Sequence, residues 1–139
     1  MKRRILSLVS LVLLITFLLV LPAEAVEETP TVSPRYVNIS LMTASINVNS
    51  SGKASCYGDV KTANSTYTIY LDITLQRYKD GYWNNVKSWD TSGTGEVDLD
   101  KSWYVTSGYY YRTAATATVY TSGGSYVEGV TIYSQSDYY

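Results

Sequence analysis

The sequence predicts an all-β protein after its first 25 residues. Three observations carry this. Apolar residues alternate with polar ones in several runs of eight to thirteen residues, the period of a strand with one buried face. Turn signals punctuate the runs, among them Asp80-Gly81 and Ser122-Gly123-Gly124-Ser125. No stretch beyond residue 25 carries apolar residues at helical spacing.

The central run is Thr66–Tyr78, in which Tyr67, Ile69, Leu71, Ile73 and Leu75 share one face. Thr68, Tyr70, Asp72, Thr74 and Gln76 share the other. Lys79-Asp80-Gly81 comes next, and Asp-Gly tolerates the positive φ angles of a two-residue hairpin turn, which makes Gly81 a structural position. Tyr82–Trp89 is then the returning strand.

Met1–Ala25 reads as a cleavable export signal. Lys2, Arg3 and Arg4 form a basic start, Ile5–Leu21 is apolar apart from Ser7, Ser10 and Thr16, and Pro22 breaks the run. Ala23-Glu24-Ala25 supplies the small-x-small cleavage pattern, so the mature chain is expected to begin at Val26. An uncleaved anchor is the alternative, because the run reaches the lower bound for a spanning helix. With cleavage, no membrane span remains, and the protein is secreted. Residues 26–34 contain Pro30 and Pro34 and read as a flexible leader. One domain occupies residues 35–135, with residues 136–139 as a C-terminal tail.

Arg35–Val48 is the first strand. Val37, Ile39 and Leu41 lie on one face, then Met42, Ala44, Ile46 and Val48 on the other, so a bulge or a change of sheet is expected. Lys53–Thr62 is the second, with Ala54, Cys56, Gly58 and Val60 inward. Beyond the central hairpin, Asp90–Gly95 reads as a loop, and Glu96–Asp100 turns Val97 and Leu99 inward. Tyr109–Tyr120 has Tyr111, Thr113, Ala115, Ala117 and Val119 on its apolar face. Tyr126–Ser134 is the last strand, with Val130 and Ile132 inward and a bulge expected at Gly129.

Seven short strands in one domain suit an immunoglobulin-like β-sandwich, with a small β-barrel as the alternative. The run Val105-Thr106-Ser107-Gly108-Tyr109-Tyr110-Tyr111 matches the approach to a strand whose tyrosine caps the preceding corner. Tyr111, in phase with the inward residues, is the expected corner residue, and Tyr110 the alternative. The pattern Leu75-Gln76, Asp80-Gly81-Tyr82-Trp83, Val86, Trp89, then Lys101-Ser102, Val105 and Gly108-Tyr109-Tyr110-Tyr111-Arg112 resembles a family of small secreted Ig-like β-sandwich proteins of unassigned function from Gram-positive bacteria. The resemblance implies export and a sandwich fold. It supplies no catalytic residues.

Composition narrows the chemistry. The chain has no His, which removes Ser-His-Asp and Cys-His catalysis and the commonest zinc ligand. No cofactor is expected, and the protein is read as not an enzyme. Cys56 is the single cysteine and sits at an inward position, so it reads as a small buried residue rather than a reactive thiol. Of the 11 basic and 12 acidic residues, Lys2, Arg3, Arg4 and Glu24 leave with the signal, so 8 face 11 in the mature chain, without a basic cluster for nucleic acid. Asp98 and Asp100 share a strand face and admit a calcium reading, but charged solvated strand faces are commoner.

Aromatic residues are the most distinctive feature: 15 Tyr and 3 Trp, all beyond residue 25. Tyr70, Tyr78, Tyr82, Trp83 and Trp89 on the central hairpin are the candidate binding residues, forming a platform for sugar rings or a protein partner. Ordinary cross-strand pairing of Tyr and Trp on a solvated face is the structural alternative. In a regular strand Trp83 and Trp89 share a face opposite Val86, so the three cannot all be core. Two functions are consistent with these features. One is a secreted, non-enzymatic binding or cell-envelope module, whose partner is a cell-wall glycan or a protein. The other is a secreted effector or bacteriocin-like protein, which inhibition zones on a bacterial lawn would reveal.

Overall fold

The computed structural model describes residues 36–139. The predicted signal and leader lie outside the described residues. Eight strands run in the order β1 (Ile39–Val48), β2 (Lys53–Thr62), β3 (Thr68–Lys79), β4 (Tyr82–Thr94), β5 (Glu96–Tyr104), β6 (Tyr110–Tyr120), β7 (Tyr126–Tyr133) and β8 (Asp137–Tyr138). They form two antiparallel sheets, one ordered β1-β2-β5, the other β4-β3-β6-β7 with β8 added to β6. Two sheets face each other across one core, which is a sandwich and not a closed barrel. Among the described residues there is no helix long and apolar enough to cross a membrane.

The core follows the alternation. Ile69, Leu71, Ile73 and Leu75 on β3 are buried, as are Ala54, Cys56 and Val60 on β2, Val97 and Leu99 on β5, and Ala115, Ala117 and Val119 on β6. Each Ile, Leu or Val buried this way contributes about 1.5–3 kcal/mol relative to exposure. Gly58 sits where the sheets approach most closely: a Cβ there would lie 2.7 Å from Ile73 Cγ2. The β3–β4 hairpin closes as its Asp-Gly pair predicts. Asp80 has φ 56° and Gly81 φ 85°, with Lys79 opposite Tyr82.

The differences from the pattern expected of the sequence have one common cause, the register between partners. Strand β1 begins at Ile39, not Arg35, and its phase change falls at Ser40, the extra residue between the pairs Ile39–Thr62 and Leu41–Lys61. Ile39 is therefore core while Leu41 points out, 48% exposed. Strand β4 does not stop at Trp89: the predicted loop at Asp90–Gly95 is strand as far as Thr94, paired along the whole of β3. The bulge in β7 falls at Val127, between the pairs Val119–Glu128 and Tyr120–Tyr126, and Gly129 is an ordinary partner of Thr118. Strand β5 runs unbroken to Tyr104.

The predicted tail is part of the fold. Asp137 and Tyr138 pair with Tyr111 and Tyr110 as β8, and Tyr139 exchanges backbone hydrogen bonds with Tyr109. Two carboxylates clip β1 to the opposite sheet. Glu128 accepts from the backbone N–H groups of Val37, Asn38 and Ile39 at 3.2, 2.9 and 3.2 Å, and Asp137 accepts from Val48 N–H at 2.7 Å. The ends of an edge strand are thus tied down, and its free N–H groups find charged acceptors.

Candidate functional site

The outer face of the five-stranded sheet gathers most of the aromatic side chains. At one end, Tyr70 on β3, Tyr120 on β6 and Tyr126 on β7 meet edge to face, with ring centroids 5.7 and 6.0 Å apart. Beside them lies an open cleft of about 420 Å³, lined by Tyr70, Tyr120, Thr68, Thr118 and the turn residues Ser122 and Gly124. The middle of the face is a polar ladder. Thr74 and Ser88 share a 2.9 Å hydrogen bond, as do Thr116 and Thr131. At the other end Tyr78 packs on Trp83 at 5.2 Å and Tyr110 on Tyr138 at 5.0 Å.

Arg112 lies in the second cluster. Its guanidinium carbon is 4.2 Å from the Trp83 ring centre and 3.9 Å from that of Tyr133. Its Nε donates to Gln76 Oε1 at 2.8 Å, and Gln76 Nε2 donates in turn to Asn85 Oδ1 at 2.9 Å. Burial among the rings pulls the guanidinium down from its usual range, partly offset by Tyr133. Arginine keeps its charge throughout the accessible pH range.

The hairpin residues predicted as a platform do not all share one face. Tyr70, 51% exposed, Tyr78 and Trp83 are on the outer face, but Tyr70 and Tyr78 stand at opposite ends, about 27 Å apart along an extended strand. Trp89 is not on that face. Val86 is the extra residue of a bulge between the pairs Leu75–Lys87 and Gln76–Asn85, and the bulge reverses the alternation. Trp89 then lies opposite Ile73 and packs against the core. Tyr82 leaves the platform too: it pairs with Lys79 at the hairpin tip, 75% exposed, on the face opposite Tyr78. The bulge decides which Trp is core, and it places one on each side.

Residues not expected from the sequence as binding residues complete the face. Tyr110 and Tyr120 point outward by simple alternation along β6, and Arg112 is in phase with both. Tyr126, Tyr133 and Tyr138 join them only through the register of β7 and β8.

Elsewhere, Tyr111 is 1% exposed and donates its hydroxyl to Thr106 O at 2.6 Å, the corner geometry expected of it; Tyr110 instead lies half-exposed on Tyr138. Burial pushes the Tyr111 phenol up, with Arg77 opposing. Cys56 is fully buried, and burial raises its thiol well above reach of ordinary activation. A thiol reagent is expected to label Cys56 only as fast as the protein unfolds. Rapid stoichiometric labelling of the native protein, or a reducible dimer, would contradict that.

The opposite sheet carries Asp98 and Asp100 outward, with Asp59 directly across from Asp98. Partial burial, then Glu96 and Asp98, push the Asp59 carboxyl up. No group of three His, Cys, Asp or Glu side chains able to hold a metal ion occurs among the described residues. Lys61 and Glu96 form an exposed 3.0 Å ion pair there, which contributes at most about 1 kcal/mol.

Fold and site together define a two-sheet β-sandwich with an aromatic outer face on its larger sheet. No protein-family model matches the sequence, and no curated protein matches it.

Proposed function

We propose that the protein is a secreted, non-enzymatic binding module of the cell envelope. It would hold a cell-wall glycan or a protein on the outer face of the five-stranded sheet. One observation carries the reading: two aromatic clusters, Tyr70-Tyr120-Tyr126 and Tyr78-Trp83-Tyr133, flank a ladder of hydroxyls and amides on one sheet face. Rings with polar rims suit stacking on sugars and anchoring at protein interfaces. The signal-like Met1–Ala25 supports export, and the lack of His, with the only Cys buried, supports binding without catalysis.

The triple variant Tyr70→Ala, Tyr78→Ala, Trp83→Ala tests this in a pull-down on purified cell wall. Binding is expected to fall at least tenfold, because stacked interface rings contribute about 1–2 kcal/mol or more each. Stability is expected to fall by less than about 1 kcal/mol per site, as for partly exposed strand residues. Undiminished binding would overturn the reading, and an unfolded variant would make the rings structural.

A further inference from the structure

An arginine between two aromatic rings is an anchored donor. Arg112 is fixed from four sides: Trp83 and Tyr133 sandwich the guanidinium, Gln76 holds Nε, and Asn85 holds Gln76. The rotamer entropy that a free arginine loses on binding, up to about 2 kcal/mol, has already been lost here.

What Arg112 lacks is an anion. Among the described residues the one ion pair is Lys61–Glu96, on the other sheet. The only hydrogen bond of the guanidinium to these residues uses Nε. The two terminal nitrogens have no protein acceptor among the described residues, and neither is a buried atom left unpaired, so both reach solvent. The acids on this face, Asp72 and Asp90, pair with each other in the row of Thr116, four residues along the strand from the row of Arg112. That is about 13 Å away along an extended strand, too far for contact.

The geometry points to a carboxylate-binding site at Arg112, in which the two terminal nitrogens grip both oxygens of a ligand carboxylate between the Trp83 and Tyr133 rings. It rests on the reading of this face as the binding surface and names the ligand chemistry there. A carboxylate is planar and meets a guanidinium edge to edge through two parallel hydrogen bonds. In the plane of Arg112 it fits between the flanking rings. A tetrahedral phosphate directs oxygens out of that plane, toward the ring faces, whose negative potential repels them. Cell-wall acidic sugars and protein C-termini both supply the required group.

Titration of the full chain with sodium acetate, followed through the Arg112 Nε–H and Trp83 indole N–H resonances, tests the site. Sodium chloride at equal ionic strength is the control. A saturable shift is expected with acetate and none with chloride. Arg112→Lys keeps the charge but not the fork and is expected to weaken binding at least tenfold. Gln76→Ala, which keeps the arginine but frees its Nε, is expected to weaken it severalfold and serves if Arg112→Lys does not fold. Glucuronate against glucose, and a peptide with a free against an amidated C-terminus, identify the source of the carboxylate. No saturable shift, a lysine variant that binds as well as wild type, equal or tighter binding of inorganic phosphate, or equal binding of the uncharged counterparts would overturn the site. Loss of cell-wall binding in the ring variant without any acetate response would remove the carboxylate site and leave the surface standing. An acetate response with undiminished cell-wall binding would do the reverse.

Discussion

Tyr111→Ala is expected to cost about 3–5 kcal/mol, the range for deleting a large ring from a packed core. Tyr111 is the largest of the fully buried side chains and sits where β6 enters the sandwich. Its hydroxyl spans five residues back to Thr106 O at 2.6 Å, which ties the approach loop to the start of the strand. Tyr111→Phe isolates that bond. It keeps the ring but leaves the Thr106 carbonyl without its donor, at a cost of about 1–2 kcal/mol. Tyr110→Phe is the control, since Tyr110 is on the outer face with its ring on Tyr138. Urea unfolding of the three variants gives the comparison. A Tyr111→Phe variant as stable as wild type, beside a destabilised Tyr110→Phe, would transfer the corner role to Tyr110.

That tyrosine is legible in the sequence because its signal is local. Phase with Thr113, Ala115, Ala117 and Val119 is enough to send Tyr111 inward. The same holds for Ile69, Leu71, Ile73 and Leu75, and for the Asp80-Gly81 turn, where residue type and backbone angle are directly linked. Non-local effects are not legible. A bulge is a mismatch between two strands, and one strand alone does not show it. Ser40, Val86 and Val127 are ordinary strand residues in isolation, yet each shifts the phase of the residues after it. Asp90-Thr91-Ser92-Gly93-Thr94 has the composition of a loop. It is extended because β3 offers it a partner of full length, and tertiary pairing outweighs propensity.

The candidate face shows the same division. Alternation on β3 and β6 is enough to turn Tyr70, Tyr78, Tyr110 and Tyr120 outward, and Arg112 with them. Placing Trp83 beside Arg112 and Trp89 in the core needs the Val86 bulge, and bringing Tyr133 to the guanidinium needs the β6–β7 register. The edges of the sheets add a further non-local feature. Lys87 on β4 and Lys101 on β5 occupy inward phases near the open side of the sandwich, and Lys87 lies over the Trp103 ring at 5.1 Å. Inward-pointing charges on edge strands oppose pairing with further chains.

Removing residues 136–139 is expected to destabilise the protein by about 2–4 kcal/mol, from the loss of several backbone and charge-assisted hydrogen bonds at about 0.5–3 kcal/mol each. These residues have the composition of a frayed end, but they close one end of the sandwich. Tyr139 N–H donates to Tyr109 O at 3.1 Å, Tyr109 N–H returns the bond at 3.2 Å, and Gly108 N–H donates to Tyr139 O as well. The Tyr139 ring lies so close over Gly52 that a Cβ there would be 2.8 Å from it. Asp137 holds Val48 N–H, so the truncation also frees the far end of β1. For a domain of this size each kcal/mol lowers Tm by about 4–8 °C, so a drop of roughly 10 °C or more is expected. Amide exchange should accelerate at Val48, Gly108 and Tyr109 and change least at Ile73, in the middle of β3. Asp137→Asn separates the contributions, because it weakens the charged clip while keeping the β8 pairing, and its effect should be about 1 kcal/mol. A truncated chain that melts with wild type and protects Val48 equally would show that β8 and Tyr139 add nothing to the fold.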